Sequence, residues 1–387
     1  MAERSNNWIS YFLFFTLAVS SFVVIEPSPY DLLIILLLII GFTFSIYSFS
    51  KEMVFPIIIL SIFLISNILS LFFIKTIGPS IFFTAITFYL ALTWIGIIGL
   101  SKRITRIRLQ FILHGYLISA CLSAIIGILA FLNLIPFSDL FLMYGRAKAL
   151  FKDPNVFGPF LVMPALFSLS MTERKDMPLK KKMFYYLTFL ILIAAVIISF
   201  SRAAWGNLFI SLFIYLFLFK VNLFKRRIHT VLFIVIAGIP IILFIIQTPL
   251  IEDLLVSRLS FQNYDNERFG TQLAAFESGI SNPLGIGSGQ SENTFKYSPH
   301  SLYARVFTEN GVIGILSFSF FLIVSTFKAL SSYWSSKRED GVFYVVIFAS
   351  LIGLAFNSFF VDTLHWRHFW LLLALAWIPL NERRNEW

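Results

Sequence analysis

Residues 180–205 read KKKMFYYLTFLILIAAVIISFSRAAW. Three lysines precede seventeen uncharged residues, 184–200. Arg202 follows, and a second apolar run, 203–219, begins at once. A membrane helix needs about 20 predominantly apolar residues. Two such runs with almost no loop between them predict a helical hairpin, with Lys180-Lys181-Lys182 at one bilayer surface and Arg202 capping the tight turn at the other. The same pattern recurs in both directions along the chain. Twelve candidate spans fall at roughly 8–25, 31–49, 53–74, 79–100, 110–135, 155–172, 184–200, 203–219, 229–247, 301–327, 342–361 and 366–380, the last being short. The first has only Arg4 ahead of it and no small-residue cleavage site, so it reads as a span and not as a cleaved signal. The fold class expected is an all-α polytopic membrane protein.

Composition agrees. The 387 residues are 58% hydrophobic and 13% charged, with 47 Phe and a mean hydropathy of +0.85. A soluble domain carries roughly twice that charge fraction. The apolar excess excludes a disordered chain. The single cysteine, Cys121, excludes an internal disulfide framework.

The net charge of +10 raises the question of nucleic acid. With twelve spans and the N-terminus inside, 20 of the 30 Lys and Arg fall in inner segments. That is the positive-inside pattern, and it places both termini in the cytoplasm. Clusters such as Lys180–Lys182 therefore read as orientation signals touching anionic lipid. No aromatic platform accompanies them, so nucleic acid is not expected as a partner.

Two outer segments are not short loops. One runs over 136–154; the other, 248–300, exceeds fifty residues, a length usually functional or disordered. The long one has apolar residues at helical spacing, Phe269, Leu273, Phe276 and Ile280. A turn-rich run follows, Asn282-Pro283-Leu284-Gly285-Ile286-Gly287-Ser288-Gly289. A small helical extracytoplasmic cap is expected there. The organisation is thus spans one to nine over 1–247, the large loop over 248–300, and spans ten to twelve with a cytoplasmic tail over 301–387.

Span interiors carry few ionisable residues, the exceptions being His114, Arg305, Glu309 and His368. Ion-coupled transporters concentrate such groups near the midplane, so an outward-facing site is the better expectation. The other ten Lys and Arg fall in the outer segments or the adjoining span ends, where orientation does not favour them. Arg is suited to bidentate contact with phosphate oxygens, so several gathered at one surface would suit a lipid diphosphate. Arg146 (in Gly145-Arg146-Ala147-Lys148-Ala149-Leu150, before Asp153-Pro154-Asn155), Arg202 (in Ser201-Arg202-Ala203-Ala204-Trp205) and Arg268 are candidate anion contacts; Arg258 is a weaker one. The bland readings are interfacial snorkelling for Arg146, an anchor beside Trp205 for Arg202, and a solvated surface charge for Arg268. His300 opens span ten and can act as a general base or a polar anchor. Gly311, about three turns on, would share its face if the helix is continuous. Arg305 and Glu309, four apart, can neutralise each other. No HExxH, cysteine cluster, P-loop or GxSxG elbow is present, so no metal and no cofactor is expected.

These pieces, in order, resemble the O-antigen ligase and O-antigen polymerase family of bacterial membrane glycosyltransferases. The resemblance is carried by Arg146-x3-Leu150 with Asp153-Pro154-Asn155, Ser201-Arg202-Ala203-Ala204-Trp205, Arg268, Asn282-Pro283-Leu284-Gly285-Ile286-Gly287, and His300 with Glu309-Asn310-Gly311 and Gly314, which fits a His-x10-Gly pattern. It covers about residues 140–315. Ser301, where many relatives have Asn, and Phe269-Gly270, where a Trp is common, depart from it. The resemblance implies a GT-C-like helical enzyme of the bacterial inner membrane with an extracytoplasmic active site. It implies metal-independent transfer of a glycan from undecaprenyl diphosphate to an acceptor hydroxyl on a glycan or glycolipid, with membrane lipids and polysaccharide-assembly proteins as further partners. Carried over, Arg146, Arg202 and Arg268 hold the diphosphate, His300 and Arg268 are catalytic, and Glu309 and Gly311 support them. A polymerase of surface polysaccharide is the leading expectation. A ligase acting on lipid A-core, as in lipopolysaccharide, shares every motif. A lipid-linked oligosaccharide transporter is the alternative of another class.

Overall fold

The computed structural model describes residues 2–174, 177–218, 227–234, 263–336 and 338–380, with the isolated residues 236, 238, 239, 256 and 260. Most of expected span nine, Arg258 with most of 248–262, and the tail beyond residue 380 lie outside the described residues.

The described chain is helical. In order it forms α1 (Ala2–Ala18), α2 (Pro29–Thr43), α3 (Val54–Ser70), α4 (Ile77–Gly99), α5 (Arg106–Phe131), α6 (Pro154–Thr172), α7 (Leu179–Ile198), α8 (Arg202–Phe217), α9 (Asn263–Ser281), α10 (Ser291–Thr294), α11 (Leu302–Ser335), α12 (Arg338–Asn357) and α13 (Arg367–Leu375). Apart from span nine, each expected span overlaps a helix, several of them only in part. Six stretches, Lys51–Phe73, Ile77–Arg103, Arg106–Phe131, Pro154–Thr172, Leu179–Ile198 and Leu302–Ser335, are long and apolar enough to cross a membrane. Four more are apolar but shorter: Asn7–Ala18, Pro29–Thr43, Arg202–Phe217 and Gly341–Asn357. Large apolar side chains face outward along these helices, among them Phe15, Phe72, Phe82, Phe209 and Phe327. Such an exterior suits lipid and not water.

The last expected span, 366–380, is realised as only nine helical residues. At 1.5 Å per residue, α13 is about 14 Å long, roughly half a bilayer core. All its residues from His368 to Leu375 are buried. Hydropathy cannot separate a helix wrapped by protein from one wrapped by lipid. Helix α6 is the other interior element: every residue from Phe157 to Thr172 is buried. It packs on α7, α8, α5 and α12, while α11 packs on α3 and α12, and α1 on α5.

Local chemistry sets the helix starts. Asp153 caps α6 through Asn155 N–H, with Pro154 as first helical residue. Ser201 caps α8 and Ser301 caps α11. Ser28 and Asp31 form a capping box on α2. The 136–154 segment holds a two-residue antiparallel pair, β1 (Leu142–Met143) and β2 (Arg146–Ala147).

Helix α9 lies where apolar residues at helical spacing predict one, and it packs against α11. Its stripe is turned outward, however: Phe269, Leu273, Phe276 and Ile280 are all exposed. Ala275, with its side chain buried, accepts the Thr308 hydroxyl at its carbonyl.

Candidate active site

Each of the three candidate arginines is held by a contact to another element: Arg146 to Ser199 and Asn155, Arg202 to Asp265, and Arg268 to Phe360. Arg146, on β2, is buried. Its Nε donates to the Ser199 carbonyl at 2.9 Å and its Nη2 to Asn155 Oδ1 at 3.0 Å. These contacts join the 136–154 loop to the last turn of α7 and the first turn of α6. The snorkelling reading gives way to an arginine that ties two helix ends together.

Arg202 begins α8 directly after the turn. The hairpin is as tight as the sequence implies: α7 ends at Ile198, and the Trp205 indole N–H donates back to the carbonyls of Val196 and Ile197, both at 3.2 Å. The Arg202 guanidinium is partly exposed and pairs with Asp265 of α9, which is buried. Arg268 lies three residues further along α9, and its Nη2 donates to the Phe360 carbonyl at 2.6 Å in the segment after α12. Gln272, one turn on, donates to the His300 carbonyl at 3.1 Å. Arg202, Arg268 and His300 are therefore linked through one face of α9.

His300 precedes the cap of α11 with φ +40°, a left-handed conformation uncommon for a non-glycine residue. Phe200, immediately before Ser201, does the same at φ +46°. Two serine caps of candidate motifs thus each follow a residue held in a sparsely populated region, as functional sites often show. The His300 ring is half-buried. Burial first, then the positive charges of Arg268 and Arg305, hold its imidazole below the ordinary 6.5, while Asp153 and Asp362 oppose them. The ring is therefore neutral at pH 7.

Arg305 does pair with Glu309, at 3.6 Å, but its contacts with other acids are shorter. Nε meets Asp362 at 2.9 Å, Nη2 meets Glu292 at 3.1 Å, and the guanidinium lies 5.0 Å from the Phe83 ring centroid. Arg305 is a hub joining α10, α11 and the segment after α12. Glu309 is fully buried and accepts the backbone N–H groups of Gly289, at 2.7 Å, and Ser291, at 3.2 Å.

Gly311 overturns the continuous-helix expectation. With φ +69° and ψ −164° it breaks α11, so His300 and Gly311 do not share a helical face. The break is repaired by the turn-rich run. Ile286 N–H donates to the Thr308 carbonyl at 2.9 Å, Gly287 N–H to the Glu309 carbonyl at 3.1 Å, and Val312 N–H to the Pro283 carbonyl at 2.9 Å. A Cβ at Gly311 would lie 2.1 Å from the Pro283 oxygen, and one at Gly285 2.2 Å from the Glu309 oxygen. Irregular backbone in a spanning helix must be satisfied by protein, and here the loop supplies the partners.

Sequence reasoning missed Asp362, His365 and the Asp31–Arg367 pair. Arg367 holds Asp31 with two bonds, 2.7 and 2.6 Å, across 336 positions of sequence. His365 Nε2 lies 2.9 Å from the Thr87 hydroxyl, and its ring sits 4.1 Å from Phe83, the ring that also underlies Arg305. Only the Ser28-x-x-Asp31 cap was readable locally. Among the described residues, no three His, Cys, Asp or Glu side chains are placed to hold a metal ion.

Compared with models of protein families and with curated proteins, the chain matches none. The site thus rests on its own chemistry: a neutral imidazole beside partly exposed guanidinium groups can take a proton from a hydroxyl while the cations meet an anionic leaving group.

Proposed function

We propose that the protein is a membrane glycosyltransferase that moves a glycan from undecaprenyl diphosphate to an acceptor hydroxyl, acting as a polymerase of surface polysaccharide. On this reading it is a twelve-span, GT-C-like protein of the bacterial inner membrane, with the His300 end facing outward and both termini in the cytoplasm. The observation that carries the reading is the linkage of His300 to Arg268 through Gln272, with Arg202 on the same helix face.

The step follows from that arrangement. The acceptor oxygen attacks the anomeric carbon, its proton passes to His300, and the bond from that carbon to the diphosphate oxygen breaks. The electron pair leaves with the diphosphate. Arg202 and Arg268 then hold growing negative charge, which favours the transition state over the ground state. Arg146 supports both by fixing the α6 and α7 ends, and Glu309 and Gly311 shape the loop behind His300. Neither a metal nor a cofactor enters the step.

The test is the glycan on undecaprenyl diphosphate in cells producing His300→Ala or Arg268→Ala at normal protein levels. Single repeat units accumulating on the carrier is the expected result. Long chains stranded on the carrier would make the enzyme a ligase. An unchanged glycan profile in both variants would refute the site.

A further inference from the structure

Helix α9 carries a face that the candidate site does not use. At about 100° per residue, Phe269, Leu273, Phe276 and Ile280 fall within an arc of about 60°. All four are exposed, from 39% for Phe276 to 71% for Ile280. Roughly 70–130° to one side lie Arg268, Gln272, Ala275 and Gly279, which meet protein. Arg268 and Gln272 donate to the Phe360 and His300 carbonyls, the Ala275 carbonyl accepts from Thr308, and a β-carbon at Gly279 would lie 2.7 Å from the Phe307 ring. Roughly 50–110° to the other side lie Asn266, Glu277 and Ser281, all exposed. One helix thus has a protein face, an open apolar face and an open polar face, in that order. We infer that α9 is an interfacial anchor, its Phe269–Ile280 stripe seated in the lipid leaflet beside the start of α11.

Continuity says what covers the stripe. From Ile280 the exposed apolar surface leads through Leu284, also exposed, into the seam with α11. There the Val312 N–H donates to the Pro283 carbonyl at 2.9 Å, and the Phe276 ring sits 6.1 Å from that of Phe307. Val312, Ile313, Leu316 and Phe320 are exposed in turn along α11, within a stretch long and apolar enough to cross a membrane. The stripe therefore extends an exterior that suits lipid. A protein covering it would have to end where the lipid-facing side of α11 begins, whereas lipid covers both without a boundary. An apolar and a polar band running side by side along one axis are what a helix lying in a bilayer interface presents.

Charge narrows the attraction. The one basic residue of α9 is Arg268, which holds the Phe360 carbonyl, and its open polar face carries Glu277. Seating in lipid is then driven by apolar burial and needs no anionic headgroup. The consequence is positional. Asp265, Arg268 and Gln272 of α9 bind Arg202, the Phe360 carbonyl and the His300 carbonyl. A stripe sunk in the leaflet holds all three at headgroup depth.

The experiment uses the full chain in nanodiscs of phosphatidylcholine, with Cys121→Ser removing the native thiol. Single spin labels are placed through Leu273→Cys, Ile280→Cys and Glu277→Cys, and their collisions with oxygen and with a neutral nickel chelate are read by electron paramagnetic resonance. Labels at 273 and 280 should favour oxygen and report a depth of roughly 5–10 Å, and the label at 277 should favour nickel. Adding phosphatidylglycerol should change neither. In the unsubstituted chain, a phospholipid with a photoactivatable acyl chain should cross-link within 269–284. Nickel collisions as frequent at 273 and 280 as at 277 would put the stripe in water and overturn the inference. Few collisions with either reagent would mean that protein, a second copy or another chain, covers it, and would overturn it equally. So would depth gained only with anionic lipid, or no cross-link in the unsubstituted chain.

Discussion

Arg305 and Arg202 both bind carboxylates at the same end of the bundle, yet they are held in opposite ways. Arg305 is 3% exposed and contacts Glu292, Glu309 and Asp362. Arg202 is 36% exposed and pairs with Asp265. A cation surrounded by carboxylates in a buried setting has no charge left to offer a substrate, and its removal strands the acids. A partly exposed cation keeps a face open to solvent, and a ligand can meet it there while its protein partner stays bound. Side chains of one type at one surface thus divide into an internal clamp and a charge available to an incoming anion. Accessibility, and not residue type, separates them.

The sharpest way to break this contrast is Arg305→Ala. It leaves the buried Glu309 and the neighbouring Asp362 without their cation, and should cost about 3–5 kcal/mol. A large fall in melting temperature, or loss of the protein from the membrane fraction, is expected. Normal stability would dissolve the distinction. Gly311→Ala comes next. It forces a β-carbon into the Pro283 carbonyl and a left-handed φ on alanine, costing about 1–3 kcal/mol from backbone conformation alone. Differential scanning fluorimetry of the purified chain would show it.

The third effect is a pH dependence. His300 has its pKa lowered in the folded state, so the unfolded chain binds more protons just below pH 6.5. Stability from this group is full above 6.5 and is lost as pH falls from there toward the lowered value. The neutral base should persist below 6.5. Once the pH is one unit under the folded pKa, the rate should be about tenfold down. A rate that already falls at pH 7.5 would contradict the assignment. The smallest effect belongs to Asp265→Asn. It removes the buried charge together with the pair and leaves only the partly exposed Arg202 to water, so stability should change by less than about 1 kcal/mol, measurable by urea titration in detergent.

The helices and the tight Arg202 turn were legible because length and apolarity are local properties. The Ser201 cap, the Phe184–Ile198 run and the apolar start of α8 sit within forty residues. What could not be read depends on long-range meeting. Nothing near Arg367 announces Asp31, and nothing near Arg146 announces the Ser199 carbonyl. The burial of α13 was hidden for a related reason: the same leucines serve a helix inside the bundle or one facing lipid. Gly311 was noticed, but its meaning required the Pro283–Gly289 segment to be placed against it. The outward turn of the Phe269–Ile280 stripe likewise depends on which side of α9 meets α11.

The seam between the Asn282–Gly289 turn and the break at Gly311 has a consequence for how such a protein can be taken apart. Of the seam's three backbone hydrogen bonds, the turn donates two, from Ile286 and Gly287, and the helix that follows donates one, from Val312. A peptide spanning 263–300 would carry the donors of Ile286 and Gly287 without the acceptors of Thr308 and Glu309. That segment is therefore not a module that recombination could exchange on its own. A functional transplant into another membrane protein would have to bring residues 301–312 with it.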